Sequence, residues 1–429
     1  MTALRELTRV ALATGVLGAA GCSVPDFVHA AYTGDLPTLQ QQVRAAGAAG
    51  SIDVPRMRAL AEAIARREIR SARGPGAVAT VHQAHGCARS VEAELRERAE
   101  RAEDAGAEAE LVLLEAGLAP RAPEVERHAR AESGAFRAVA ARSAVTAADA
   151  PLRREFFVDA DERVRRQAFR AAIEVADPDD VEALLEAARL DPDPEGRGLA
   201  TRALGRIGGE HAVTALADLY PRADAEQRLA IVEAWGTPAM APVGGASRLV
   251  TTAEQGGSLA AVAAAGSLSR LQAPEAATGR AWLARAVDSG TTDERMLALE
   301  LCPLSDPDAL AAVNRASGSD DPAVRVVALA RLLDAVERRK EAQRELRELA
   351  TKSDAAARQA AAALSVLGDA TVASVLAKDL GDSHAYRRRQ AAAGLLRLGR
   401  VAEVATALVD RDPGVRMQVA CAVLTRAGG

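Results

Sequence analysis

The chain has few aromatic side chains. Two Trp, three Tyr and five Phe make up 2% of its 429 residues, although hydrophobic residues reach 49%. A core of that composition is made of Ala, Leu and Val. Such a core suits tightly packed helices better than a β-sandwich, whose strands favour aromatic and β-branched side chains. Beyond the N-terminus no apolar stretch approaches the ~18 residues of a membrane-crossing helix, which excludes a membrane-spanning body. Charge is nearly balanced, with 54 Lys and Arg against 59 Asp and Glu, a net of −5. Residues 1–21 carry Arg5 and Arg9 against Glu6, a net of +1, so the remainder stands at −6. That acidity and the scarcity of rings leave little for phosphate contacts or base stacking, so nucleic acid is not an expected partner.

Catalytic signatures are also missing. There is no G-x-G-x-x-G after a strand, no phosphate loop, no G-x-S-x-G, no H-E-x-x-H helix and no Cys–His dyad. GGASR (Gly244 to Arg248) is a glycine turn outside any strand–helix setting. The strongest cluster of possible ligands is His82, His85 and Cys87 in VHQAHGCARS. These could meet Zn²⁺ or Cu in a loop, but a fourth ligand at similar spacing is absent. The segment is therefore read as a loop with incidental polar residues, and no metal or cofactor is expected. His128, His211 and His384 fall in polar helix starts and call for no role. Cys302 and Cys421 lie on expected helices and read as buried packing residues. Repeats far apart in an open stack do not meet, so a disulfide between them is not expected.

What is present is a repeat. In DDPAVRVVALARLL (Asp320 to Leu333), Asp321 suits an N-cap and Pro322 the first helical position, where its missing N–H costs nothing. Arg325 in the first turn opposes the helix dipole and needs an anion, with Asp321 or its equivalent in a neighbouring copy as candidates. Counterparts of this Arg fall at Arg137, Arg165, Arg197, Arg228, Arg295, Arg358, Arg389 and Arg416. A copy around Leu259 has lost the Arg. Six copies place Asp four residues before the Arg, giving the pairs Asp161 and Arg165, Asp193 and Arg197, Asp224 and Arg228, Asp321 and Arg325, Asp354 and Arg358, and Asp412 and Arg416. Seven place Ala three residues after it, where a small side chain lets helices approach closely. A period of about 31 residues holds two short helices and two turns, the mark of an α-solenoid.

Met1 to Gly21 has the layout of an export signal, with an apolar run from Val10 to Ala20 that stops at AAGC. It resembles the lipobox of bacterial lipoproteins, which implies a mature chain lipidated at Cys22 and held at the bilayer. Ser23 after that Cys leans towards the outer membrane, facing the periplasm. Residues 22–119 read as divergent helical hairpins, two of which (His29 to Gly47 and Arg101 to Pro120) resemble ankyrin helix pairs. Regular repeats are expected over 120–236 and 259–429. Between them, 237–258 contains Pro238, Pro242 and four Gly where an outer helix belongs, and it is expected to be the weak joint.

The recurring D-x-x-V-R-x-x-A-x-x-A-L-x-x-L-G, carried best by Val324 and Arg325, by Val415 and Arg416, and by RQAAAALSVLG (Arg358 to Gly368), resembles the short HEAT repeat of bilin-lyase-like proteins. The resemblance implies an all-α, right-handed solenoid of about ten antiparallel helix pairs. In it the Arg-bearing helix lines the concave face, and the Asp and Arg residues form a structural ladder. Three functions follow as expectations. The first is a non-enzymatic, lipid-anchored scaffold of the cell envelope that binds a protein or peptide along an open concave platform. The second is a bilin-lyase-like enzyme or enzyme subunit. The third is a cytoplasmic HEAT scaffold.

Overall fold

The computed structural model describes residues 30–31, 36–49, 51–74, 76–122, 124–272, 275–352 and 354–426. The export signal, Cys22 and Ser23 lie outside them. Among the described residues there is no strand, and no helix is long and apolar enough to cross a membrane.

Five helices precede the regular repeats: α1 (Leu36–Ala48), α2 (Val54–Ser71), α3 (Gly76–His82), α4 (Glu92–Ala99) and α5 (Asp104–Glu115), with a 3₁₀ stretch Gln83–Val91 between α3 and α4. Ten outer–inner pairs follow. They are α6 (Val125–Ala129) with α7 (Gly134–Ser143), α8 (Ala150–Phe157) with α9 (Glu162–Val175), α10 (Val181–Leu190) with α11 (Pro194–Ile207), and α12 (Glu210–Leu219) with α13 (Ala225–Trp235). Next come α14 (Gly245–Gln255) with α15 (Leu259–Arg270), α16 (Glu275–Ser289) with α17 (Thr292–Leu301), and α18 (Pro307–Ala316) with α19 (Pro322–Leu332). The last three are α20 (Arg339–Ala350) with α21 (Ala355–Val366), α22 (Ala373–Asp379) with α23 (Ala385–Arg397), and α24 (Val401–Val404) with α25 (Pro413–Arg426).

The local chemistry of the repeat is as expected. Asp161, Asp193, Asp224, Asp321, Asp354 and Asp412 each accept a hydrogen bond from a backbone N–H in the first turn of the helix that follows. The repeated alanines, Ala140, Ala168, Ala200, Ala298, Ala328, Ala361 and Ala392, are at most 1% exposed, so the inner helices meet on their smallest side chains. Successive inner helices stack along the whole series, while the outer helices α8, α10 and α12 touch one another thinly. Over those repeats the difference in spacing curves the stack. At its tightest, Glu115 on α5 reaches past α7 to Arg170 on α9, Oε1 to Nη1 at 3.4 Å.

Three expectations change. Residues 237–258 do contain an outer helix: Pro238 and Pro242 both precede α14, Pro242 in the short 3₁₀ helix Ala241–Val243, and α14 packs on α15. Arg101 to Pro120 gives one helix, α5, followed by a turn, and not a helix pair. Most consequentially, the stack is not open. Helix α25 packs against α2 and the Gln83–Val91 stretch, and α1 packs against the 3₁₀ stretch Ala405–Val409. Through α3, α4 and α5 the N-terminal segment then meets α7. The helices close into a ring in which the divergent segment is both the neighbour of the first regular repeat and the neighbour of the last.

Close approach sets which glycines can be replaced. A Cβ at Gly205 on α11 would lie 2.9 Å from Cα of Ala234 on α13, whereas a Cβ at Gly198 on the same helix meets nothing within 4 Å. Gly205→Ala should lower stability by roughly 1–3 kcal/mol through overpacking. Gly198→Ala should raise it by about 0.5–1 kcal/mol through helix propensity. Urea midpoints followed by far-ultraviolet circular dichroism would measure both, and equal signs would contradict this packing.

Candidate functional site: the inner ladder and the ring seam

The first-turn Arg of an inner helix leans back towards its own N-terminus, as helical side chains do. At Arg165 this brings Nη1 to the carbonyl oxygens of Asp159 at 2.8 Å and Ala160 at 3.2 Å, in the loop just before the helix. The other edge of the guanidinium faces the next repeat, where Nε and Nη2 donate to the two carboxylate oxygens of Asp191 at 2.8 and 3.0 Å. Asp191 also accepts from the backbone N–H of Asp193 at 2.8 Å, and Asp193 caps α11. Each D-x-D therefore divides two tasks: its first Asp receives the Arg of the preceding repeat, and its second caps the helix. The same fork joins Arg137 to Asp159 and Arg388 to Asp410.

The ladder expected from sequence is corrected here. An Arg is not held by the Asp four residues before it, for its guanidinium leans over the loop that precedes the helix. Its partner is a carboxylate of the next repeat. Arg197 follows this direction with Asp224, and Arg325 reaches Glu345 on α20 at 2.9 Å. Arg228 and Arg295 donate only to backbone carbonyls, of Tyr220 and Pro221 and of Val287. In α23 the ladder residue is Arg388 and not Arg389, since the helix is capped one residue earlier than the spacing suggested.

The fork also closes the ring. Arg416 belongs to the last described helix, and its Nε and Nη2 donate to Glu68 on α2 at 2.8 and 2.9 Å, while Nη1 holds the carbonyl of Asp410 at 2.7 Å. Glu68 stands where the next repeat's Asp would be. Beside it Gln40 Nε2 donates to the carbonyl of Val409 at 2.8 Å, and Cys87 is disulfide-bonded to Cys421, 334 residues away in sequence.

Residues 150–236 match the family model for HEAT repeats. Over that span the chain carries HEAT repeats, and the described residues as a whole form an all-α solenoid. Among solved structures it is similar to the complex of CpcE and CpcF of phycocyanin lyase from Nostoc sp. PCC7120, at 18% identity over 60% of this chain and 94% of that one, TM-score 0.29. It is also similar to Kap121p, at 14% identity over 88% of this chain and 48% of that one, TM-score 0.34. An engineered protein aligns at 17% identity over 88% of this chain and 98% of its own, TM-score 0.24. No curated protein matches.

The ring geometry corrects the cysteine and histidine readings. Cys421 is buried as expected, but it pairs with Cys87, because closure brings the first and last segments together. Cys302 is the buried thiol that the sequence suggested. His82, His85 and Cys87 lie on α3 and the 3₁₀ stretch, not in a loop, and they form no ligand set. The Cys87 sulfur is taken, His85 is exposed, and His82 Nδ1 bonds Glu108 at 2.8 Å, which holds its pKa above the ordinary histidine value. No group of three metal-ligating side chains occurs among the described residues.

Outside the inner ladder lies a buried charge cluster with no counterpart among the sequence expectations. Arg153 on α8, with no solvent exposure, donates to Asp180 at 2.6 Å, to Asp177 at 3.1 Å, and to the carbonyls of Ala144 and Thr146. Its signal was legible: DPDD at 177–180 follows Arg153 by 27 residues, close to the 26 that separate Arg165 from Asp191. His128 was missed too. It is buried at 5% exposure against Glu110, with Nδ1 3.8 Å from Oε2, and its ring meets that of Phe136 at a tilt of 43°. Burial, with Glu124 adding repulsion, pushes the Glu110 carboxyl up to about 7, and burial beside Arg127 lowers His128.

Two predictions follow from these charges. Arg165→Ala leaves Asp191 buried and unpaired and should cost roughly 3–5 kcal/mol. Arg325→Ala removes a pair whose Arg side chain is 38% exposed and should cost about 1 kcal/mol or less. Urea unfolding of both variants measures the difference, and equal losses would mean that burial does not grade the ladder. For Glu110 the folded pKa is raised, so its neutral form is tolerated at low pH, and stability is lost as pH climbs from the unfolded value of about 4.5 through about 7. Glu110→Gln should therefore stabilise the protein at pH 8 by an amount on the order of 2–3 kcal/mol and hardly at all at pH 4. Thermal unfolding at the two pH values tests this; an equal gain at both would remove the ionisation argument.

Proposed function

We propose that this HEAT-repeat ring is a non-enzymatic interaction scaffold, lipid-anchored through Cys22 in the bacterial cell envelope at the outer membrane. Its partner is a protein or peptide bound on the exposed face of the inner helices. One observation carries the binding part. Arg389, next to the ladder residue Arg388 on α23, is committed to no carboxylate or carbonyl among the described residues. It lines a groove of about 340 Å³ between α23 and α25 with Tyr386, Gln390, Leu396 and Gln418. Tyr386 is 60% exposed. An exposed Tyr beside an unpaired Arg, flanked by amides, is the composition that anchors peptide and protein partners. The anchoring part is supported by AAGC after the apolar run. A disulfide between two of the cysteines also fits an oxidising compartment better than the cytoplasm.

Crosslinking and affinity capture from native envelopes, comparing the wild type with Arg389→Glu and Tyr386→Ala, test the surface. A partner retained by the wild type and lost in both variants supports it, and undiminished capture by both would overturn it. For the anchor, intact mass of the mature protein should show Cys22 at the N-terminus with added acyl mass, and Cys22→Ser should release the chain from the membrane fraction. Recovery of a soluble wild-type chain beginning at Met1 would remove the anchor while leaving the groove assignment standing.

A further inference from the structure

At every other inner-helix interface of the regular repeats, the chain itself runs from one repeat directly into the next. The seam between α25 and α2 joins segments at opposite ends of the described sequence, so it is where the ring can part without stretching a connection. Across it lie packing contacts, the Arg416 fork on Glu68 and the Gln40 bond to Val409, all of which dissociate freely. One link does not: Cys87, in the 3₁₀ stretch, is bonded to Cys421 in the middle of α25.

We propose that this disulfide is a redox lock that decides whether the ring can open. Locking is a two-electron oxidation. The Cys87 and Cys421 thiols each give up a proton, their sulfurs bond, and a disulfide oxidant accepts the electrons and protons as two thiols. A dithiol reductant reverses the exchange through a mixed disulfide and leaves as its own disulfide. The geometry orders the events. Both sulfurs are buried, at 3% and 5% exposure, so the bond forms once the seam has closed and is reached again only when the seam breathes. The remaining described cysteine does not compete. Cys302 is 1% exposed on the far side of the ring, and burial holds its thiol up to about 11, which keeps it protonated and unreactive. Locked, the seam shares the fate of the ring. Unlocked, α1, α2 and the Gln83–Val91 stretch come away by local opening, exposing the face of α25 that they cover.

Hydrogen exchange read by mass spectrometry on the full chain tests this without any partner or membrane. One sample is oxidised with oxidised glutathione and the other reduced with dithiothreitol during brief exposure to dilute urea. Nonreducing digestion of the first should yield a Cys87 peptide joined to a Cys421 peptide. In the reduced sample, exchange in α2, Gln83–Val91 and α25 should rise on the order of tenfold or more, while α11 and α13 stay unchanged. Cys87→Ser and Cys421→Ser should each exchange like the reduced wild type and ignore the reductant, and Cys302→Ser should keep the wild-type response. Free thiols at both positions in the oxidised sample would overturn the lock. So would seam exchange that is the same in the linked and reduced samples, or a rise shared equally by α11 and α13.

Discussion

The structure depends on one contact, repeated: an Arg that clasps the loop before its own helix and grips a carboxylate roughly one repeat further along the chain. Both halves of the contact are present from Arg137 to Asp159, Arg153 to Asp180, Arg165 to Asp191 and Arg388 to Asp410, and the forward carboxylate alone from Arg121 to Asp149, Arg280 to Asp306 and Arg347 to Asp369. Only a planar guanidinium can meet two loop carbonyls on one edge and both oxygens of a carboxylate on the other. The composition agrees, for Lys occurs only at 340, 352 and 378, none of them in the ladder. Buried as many of these pairs are, each gains little against a well-packed apolar substitute, yet breaking one leaves a charge stranded. Their effect is to fix the register of repeat on repeat, which an interface of interchangeable Ala and Leu could not do alone.

That forward direction has a structural consequence. A solenoid's last repeat ordinarily presents an unsatisfied donor and an uncovered apolar face, which capping repeats must hide. Here the last donor, Arg416, turns to Glu68, and the divergent N-terminal helices cover α25. The segment that departs most from the repeat is thus the one that must face both ways. It packs against α7 on one side and α25 on the other, and it owes the consensus pattern to neither.

Much of this fold was legible. Asp caps, buried alanines and a period near 31 residues follow from how short helices begin and pack, and these rules act within a window that the sequence displays. Three features were hidden for different reasons. Where a ladder Arg finds a carboxylate it lies in another repeat, and of the two candidates that the sequence offered, the Asp of the same copy or its equivalent in a neighbouring one, only Arg197 with Asp224 takes either. Closure depends on curvature accumulated over ten pairs, and a small rotation per repeat leaves no mark at any residue; hence Cys87 and Cys421 read as unrelated. The need for Gly236 at the end of α13 was hidden as well, because it does not share the positive φ of Gly208, Gly368 and Gly399. Its φ is −81°, and what requires Gly there is Ser267, whose Cβ a side chain would approach to 3.0 Å.

That last contact bears on how the ring stands up to the interruption at Pro238 and Pro242. In an open stack a repeat with no ladder Arg, such as α14 with α15, would weaken both of its interfaces, and the two halves could swing about it. In a ring, swinging at one joint requires a matching displacement at every other, including the seam. The inner layer is also continuous there, since α13 packs directly on α15 across Gly236 and Ser267, and Thr237 Oγ1 donates to the carbonyl of Gly205 in the helix before. The freedom that the prolines and glycines of 237–258 would give an open chain is therefore held in check by an interface on the opposite side of the sequence. The same constraint acts on the groove between α23 and α25, which adjoins the seam. Its walls are set by a closed circuit of contacts, so a partner meets a surface already ordered and loses less freedom on binding than a flexing arc would demand.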